Sequence, residues 1–136
     1  MADNPETQRV IPMLAYGDAP AAIDFLCAAF GFEQEYRMDM PDGRVGHAEL
    51  SLLGHKIMLA SEWEEAGLVS PRRLTGLHGQ IYCSVDDVDA HFRKAREVGA
   101  TIVGEPTDQP HGARTYRATD PEGHRWIFGG SLRDAK

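Results

Sequence analysis

The feature that most constrains the fold of this chain is an internal repeat. Two parts of the 136-residue sequence match at an offset of 68 or 69 residues: Asp18 with Asp86, Ala22 with Ala90, Gly31 with Gly99, and Gly54-His55 with Gly123-His124. Aspartate is a preferred helix N-cap, and glycine is a preferred residue just after a helix end. Helix starts, helix ends and a hairpin turn that match at nearly the same offset favour a duplicated unit, and a duplicated unit determines the fold class.

Each repeat predicts one βαβββ module. In the first, period-two and helical patterns predict strands at 9–16, 32–40, 45–52 and 56–60 and a helix at 21–30. In the second they predict a strand at 80–85, a helix that follows an Asp86 N-cap and ends at Gly99, a strand at 100–104 and a closing hairpin at 114–128. We therefore expect a single domain over 1–136, with module one at about 9–63 and module two at about 79–130.

The closing hairpin predicts which side chains share a face. Asp120-Pro121-Glu122-Gly123 has the composition of a turn. If Thr119 lies opposite His124, Tyr116 lies opposite Ile127. Alternation then places four side chains on one face, Arg114, Tyr116, Arg125 and Ile127, and places Trp126 and Phe128 on the other.

The first hairpin is interpreted in the same way, with His47 opposite Met58 and Glu49 opposite Lys56. The fold class that follows is α+β, with two tandem βαβββ modules. We expect two curved mixed sheets with the helices outside and one central cavity between the concave faces.

Composition and charge argue against several classes of function. With 14 basic and 21 acidic residues the formal charge is −7, and no basic run occurs, so the chain lacks the clustered cations that bind nucleic acid. Cys27 and Cys83 lie in apolar runs and are interpreted as free thiols. No apolar stretch is long enough to span a membrane and the first residues do not resemble a leader, so we expect a cytoplasmic protein.

The sequence resembles the vicinal oxygen chelate superfamily, the group of glyoxalases, bleomycin resistance proteins and extradiol dioxygenases. The resemblance lies in three segments: Tyr16 to Phe25, Val85 to Ala90, and Asp120 to Trp126. It implies paired βαβββ modules, a homodimer and binding clefts between modules. It does not select an activity, because isomerases, dioxygenases, epimerases, thiol transferases and drug binders share the fold.

The resemblance also implies where a metal would be bound. Metal-dependent members place His, Gln or Glu on the first and last strands of each module. Here the matching positions hold Ile11, Met58, Gln80 and Ile127. One amide does not hold a divalent ion, so we expect no metal and no cofactor.

Other polar side chains are candidates for ligand binding. His47 and Glu49, two apart on a strand, are either a base or hydrogen-bonding pair or a structural pair with Lys56. Arg114 and Tyr116 either hold a carboxylate or carbonyl group, or are a surface and a core residue. The predicted ligand-binding set is His47, Glu49, Met58, Gln80, Tyr82, Arg114, Tyr116 and Ile127.

Three functional hypotheses remain, of which the third is an interaction module whose cavity is vestigial and too small for any ligand. The first is a metal-free, dimeric binding protein that sequesters an antibiotic-like or aromatic small molecule, with Trp63, Met13 and Met58 either stacking on the ligand or only packing. The second is a lyase, isomerase or dioxygenase. It would be cofactor-free, with His47 or Tyr116 transferring a proton, or would use an unusual metal set that includes His47 and Glu49.

Overall fold

The computed structural model describes residues 7–132 as two modules of identical topology. Module one contains β1 (Met13–Tyr16), α1 (Ala19–Phe30), β2 (Glu33–Asp39), β3 (Val45–Leu52) and β4 (His55–Ser61). Module two contains β5 (Ile81–Ser84), α2 (Val88–Val98), β6 (Thr101–Asp108), β7 (Ala113–Thr119) and β8 (Arg125–Ser131). The connection 62–80, which we call the strap, carries two short 3₁₀ turns, Glu64–Ala66 and Pro71–Arg73.

The sheets confirm the predicted repeat. Their strand orders are β1-β4-β3-β2 and β5-β8-β7-β6, with a parallel pair at β1-β4 and at β5-β8. Met58 pairs with both Met13 and Glu49, and in the second sheet Ile127 pairs with both Tyr82 and Arg117. These two rows of three side chains are structurally equivalent, and each crosses the face opposite the helices.

Local sequence explains both helices. The Asp18 side chain accepts a hydrogen bond from the Ala21 N–H, and Asp87, one residue after the predicted Asp86, accepts from Ala90. Each helix ends at a glycine in the left-handed region, Gly31 at φ 84° and Gly99 at φ 111°. None of the helices in the described part of the chain is long and apolar enough to cross a membrane.

One hydrophobic core joins the modules through their helix-facing sides. Phe30 at the end of α1 contacts Trp126 and Phe128 of β8, with ring centroids 5.8 and 4.8 Å apart. Both aromatic residues of β8 are fully buried, as are Leu26 of α1 and Leu50 of β3. The modules therefore meet back to back, and the sheets do not close around the single central cavity that we expected.

The turn between β7 and β8 fastens module two to module one. The Asp120 carboxylate accepts hydrogen bonds from the Tyr16 hydroxyl at 2.6 Å and the Trp126 indole N–H at 3.2 Å. The Glu122 carboxylate accepts from the backbone N–H groups of Gly17 and Asp18 at 2.6 and 2.7 Å. The Asp-Pro-Glu-Gly turn is thus an interface between modules as well as a local turn.

The predicted register of the second hairpin is wrong by one residue. Thr119 pairs with Arg125, and Tyr116 therefore pairs with Phe128. The reason is the length of the loop. The Asp120 N–H donates to the His124 carbonyl oxygen and Gly123 adopts φ 96°, so five residues, 120–124, lie between Thr119 and Arg125, one more than the predicted four. Because side chains alternate, this shift moves Arg114 and Tyr116 to the helix-facing side.

The first hairpin is shifted by two residues, which preserves the predicted faces. Glu49 pairs with Met58, and Leu52 pairs with His55 across a two-residue loop. Leu53 at φ 50° and Gly54 at φ 86° form that loop, and positive φ at both positions is typical of a type I′ hairpin turn. His47 and Glu49 thus stay on the concave face as predicted.

Candidate functional site

A cavity of about 690 Å³ lies on the concave side of the first sheet, and we call it the module-one cavity. Its walls come from β1, β2, β3, β4 and the strap. The apolar side chains that line it and are 43 to 69% exposed are Met13, Met38, Met40, Trp63 and Leu68. Thioethers and an indole are polarizable surfaces that adapt to planar ligands, so this cavity can hold a partly aromatic molecule.

A short polar network reaches this cavity through His47. The His47 Nε2–H donates to the Glu49 carboxylate at 2.9 Å, and the Lys56 ammonium donates to the other oxygen of the same group at 2.7 Å. Those hydrogen bonds, first from Lys56 and then from His47, lower the pKa of Glu49. The predicted pairing of Glu49 with Lys56 is confirmed as an ion pair, although the two residues are diagonal and not directly opposite.

The strap supplies one wall of the cavity and is fixed at several points. Trp63 and Leu68 exchange two backbone hydrogen bonds, at 2.8 and 3.0 Å. The Ser70 hydroxyl and the Arg72 guanidinium both donate to the Glu122 carboxylate of module two, at 2.5 and 3.1 Å. A turn in one module thus positions the cavity wall of the other.

Arg114 and Tyr116 do not face either concave surface. Arg114 pairs with Asp89 of α2 at 3.1 Å and with Asp108 of β6 at 2.9 Å. Tyr116 is 1% exposed, and its hydroxyl donates to Nδ1 of His91 at 2.5 Å. Burial raises the pKa of Tyr116. Both residues stabilise the contact between α2 and its sheet, and the face predicted for them is wrong.

His91 completes this group, and no sequence pattern indicated its role. Its Nε2–H donates to the carbonyl oxygen of Phe30 at 2.7 Å, so its other nitrogen accepts from Tyr116. Burial lowers the pKa of His91, and the hydrogen bond to Phe30 only partly opposes this effect. The residue links the two helices in its neutral form.

The predicted residues of module two lie on a separate surface. Tyr82 pairs with Ile127 on the concave face of the second sheet, and Gln80 lies just before β5. Tyr82 is 50% exposed, whereas Ile127 is partly buried. Within one chain the structure therefore brings His47, Glu49 and Met58 together on one face, and Gln80, Tyr82 and Ile127 near another.

The family assignment follows from comparison with known proteins. The sequence profile of the glyoxalase/bleomycin resistance protein/dioxygenase superfamily matches residues 10–128. The chain belongs to this superfamily. Uncharacterized proteins of Mycobacterium bovis and Mycobacterium tuberculosis are each 36% identical to it over 126 residues, which cover 90% of this chain and 83% and 74% of those proteins.

Solved structures of the superfamily agree with the fold. TioX from Micromonospora sp. ML1 is 33% identical, with a TM-score of 0.72 over 91% of this chain and 96% of that one. FosX from Listeria monocytogenes, a genomically encoded fosfomycin resistance protein, is 16% identical, with a TM-score of 0.67 over 96% and 98% of the two chains. The second likeness shows the fold alone.

The residues at the superfamily's usual metal positions do not fit a metal ion. Ile11, Met58 and Ile127 carry no oxygen or nitrogen donor, and Gln80 supplies one neutral amide. Among residues 7–132, no group of three or more His, Cys, Asp or Glu side chains is placed to hold an ion. The side chains at these positions therefore do not support a metal-dependent step.

Covalent chemistry at the cysteines is also disfavoured by their environment. Cys27 and Cys83 are free thiols, as predicted, and both are partly buried. Burial raises the pKa of Cys83 to about 12 and raises that of Cys27, so both are thiols and not thiolates at neutral pH.

Two parts of the site were missed by sequence reasoning. Met38 and Met40 alternate on the edge strand β2 and its turn, so the cavity wall had a period-two signal. Leu68 comes from the strap, and no periodicity in the sequence indicates where an irregular connection packs.

Proposed function

We propose that this protein is a metal-free small-molecule-binding protein that sequesters an antibiotic-like or aromatic ligand in the module-one cavity. The observation that carries the proposal is the cavity itself, about 690 Å³ in volume with a mainly apolar wall. That volume falls in the range of small-molecule sites, where apolar walls supply most of the affinity and a few polar groups fix orientation.

Each part of the cavity has a distinct role in this proposal. Trp63, which is 59% exposed, stacks on a planar face of the ligand. Met38 and Met40 adapt to its edges. His47, oriented by Glu49, provides the hydrogen bond that fixes the ligand's direction.

The metal-free part of the proposal rests on residue chemistry. The four positions that would supply metal ligands hold three side chains without an oxygen or nitrogen donor, Ile11, Met58 and Ile127, and one amide, Gln80. Binding by apolar contact and one oriented imidazole needs no ion.

We further propose that a second copy of the chain covers the concave faces in a homodimer. Met13, Met38 and Trp63 all line the cavity, and each is between 44 and 69% exposed. Large contiguous apolar patches on a protein surface often mark an interaction site. Sedimentation velocity should show a dimer at micromolar concentration, and Met38→Glu should shift it toward monomer. A wild-type protein that stays monomeric would contradict this part.

One observation favours a second candidate function, proton-transfer catalysis. His47 and Glu49 are hydrogen bonded at 2.9 Å at the edge of the cavity, which is the geometry of an oriented general base. Tyr116, the other proton-transfer residue considered above, is buried against His91. His47→Gln separates the two candidate functions. If His47 is a general base, the variant should lose turnover of a bound compound while its affinity for that compound falls only modestly.

A thermal-shift screen tests the proposal. The panel contains bleomycin, fosfomycin and planar heteroaromatic compounds, each with and without a chelator. A ligand at about 100 times its Kd should stabilise the folded state by roughly 2.7 kcal/mol. We expect at least one stabilising compound whose effect survives the chelator and is lost in Trp63→Ala. Stabilisation that needs an added divalent metal, or none with any compound, would refute the proposal.

A further inference from the structure

A second cavity, distinct from the module-one cavity, lies under the strap. It has a volume of about 510 Å³ and is bounded by β1, the strap, the start of β5 and the start of β8. Its apolar wall includes Met13, Leu68, Leu74 and Leu77. It shares β1 residues and Leu68 with the module-one cavity, but His47 and Trp63 do not line it. We call it the strap cavity.

The described lining of the strap cavity carries a positive charge and no negative one. Although the formal net charge is −7, none of the described residues that line the cavity is Asp or Glu. Its polar lining instead consists of Arg125, His78, His124 and Gln80. His124 is already engaged, because its Nε2–H donates to the carbonyl oxygen of Ala15 at 3.0 Å.

Arg125 lines the strap cavity at the start of β8. It forms no ion pair with any residue in the range 7–132, and its Nε is buried without a hydrogen-bond partner there. By contrast, Arg72 and Arg73 on the strap are both ion-paired with carboxylates. Because Arg125 lines the cavity and no carboxylate of residues 7–132 neutralises it, its guanidinium is available to pair with an anionic ligand there.

We propose that the strap cavity binds an amphipathic monoanion, an aromatic or aliphatic body that bears one carboxylate. The guanidinium of Arg125 pairs with the carboxylate, which matches its planar fork of donors. The apolar body lies against Leu74 and Leu77 of the strap and Met13 of β1. The absence of carboxylates from the described lining removes the repulsion that would otherwise reject an anion.

This site does not depend on the proposed function of the module-one cavity. A ligand there would be selected by shape and stacking, whereas a ligand in the strap cavity would be selected by its negative charge. Binding at the two sites should therefore be affected by different variants, and either proposal can be wrong while the other is right.

The test is calorimetric titration of the full chain with 2-naphthoate and with its neutral isostere 2-naphthamide. We expect naphthoate to bind at least about tenfold more tightly than the amide. Arg125→Gln should weaken naphthoate binding by a similar factor and leave the amide unchanged. Arg117→Gln is the matched control. Arg117 is exposed and pairs with Ile127, on the same face of the sheet as Arg125, so its removal should leave naphthoate binding unchanged.

Two further variants keep the proposal falsifiable if Arg125→Gln does not fold. Leu77→Glu, at a strap residue that is 39% exposed, places a carboxylate in the cavity and should abolish naphthoate binding. Trp63→Ala changes only the module-one cavity and should leave it intact. Equal binding of the acid and the amide, unchanged binding in Leu77→Glu, or loss of binding in Trp63→Ala would each overturn the proposal.

Discussion

Glu122→Gln should destabilise the protein more than any exposed Glu→Gln change, because one buried carboxylate serves four donors. Glu122 is 4% exposed. One of its oxygens accepts from the Gly17 N–H and the Ser70 hydroxyl, and the other accepts from the Asp18 N–H. The Arg72 guanidinium adds an ion pair at 3.1 Å.

The magnitude follows from what an amide can accept. Glutamine keeps one carbonyl oxygen, and its NH₂ group must face one of the two backbone N–H groups. A buried donor left without an acceptor costs about 1 to 3 kcal/mol, and the remaining bonds lose their charge assistance. We expect a loss of about 2 to 4 kcal/mol in the free energy of unfolding, and a Tm lower by roughly 10 °C for a domain of this size.

The pH dependence gives this prediction a second signature. Burial raises the pKa of the Glu122 carboxyl, but hydrogen bonds from Ser70, Asp18 and Gly17 and the charge of Arg72 outweigh it, so the pKa lies below its ordinary value. The carboxylate therefore stabilises the fold above its unfolded pKa of about 4.3, and this contribution is lost as pH falls through the lower folded value. The difference between wild type and Glu122→Gln should be largest near neutral pH.

Urea denaturation and thermal melts at pH 7 and pH 4 measure both signatures. Glu97→Gln, at an exposed residue of α2, is the matched control and should change stability by less than about 0.5 kcal/mol. If Glu122→Gln is as stable as this control at pH 7, the modules are not fastened through Glu122 and the reasoning is refuted.

Three further predictions concern stability. Leu53→Asn should raise stability by about 0.5 to 1 kcal/mol in urea denaturation, because Leu53 is held at φ 50° beside Gly54 in a turn that favours asparagine. Tyr16→Phe should lower stability by about 1 to 3 kcal/mol, since it removes the buried donor to Asp120. His91 has a lowered pKa, so the unfolded state takes up its proton first and stability should fall as pH drops below about 6.5; this slope should be smaller in His91→Gln.

The repeat in the sequence was sufficient to predict the architecture. Helix caps, helix-ending glycines and alternating strands are local signals, so the βαβββ order of both modules follows from them and is confirmed by the sheets. How the modules pack was not predictable in the same way. Whether aromatic residues such as Phe30 and Trp126 pack across modules depends on tertiary geometry, and the expected shared cavity was wrong for that reason.

The candidate site was predictable on one sheet and not on the other. His47 and Glu49 kept their face because the register error in their hairpin was two residues, an even number. Arg114 and Tyr116 lost theirs because the error was one residue, set by a single extra position in the Asp120 turn. Turn chemistry indicates that a loop exists more reliably than it gives the number of residues in it.

Fluorescence titration of Trp63 tests the central claim most directly. Trp63 lies in the module-one cavity, whereas Trp126, the other tryptophan, is fully buried in the core. In excess chelator, the compound that raises Tm most in the thermal-shift screen should change the tryptophan emission until binding is saturated. Trp63→Phe should remove this change, while the emission of Trp126 persists. If the titration gives no saturable change, or one that appears only when a divalent metal is added, metal-free binding in this cavity is contradicted.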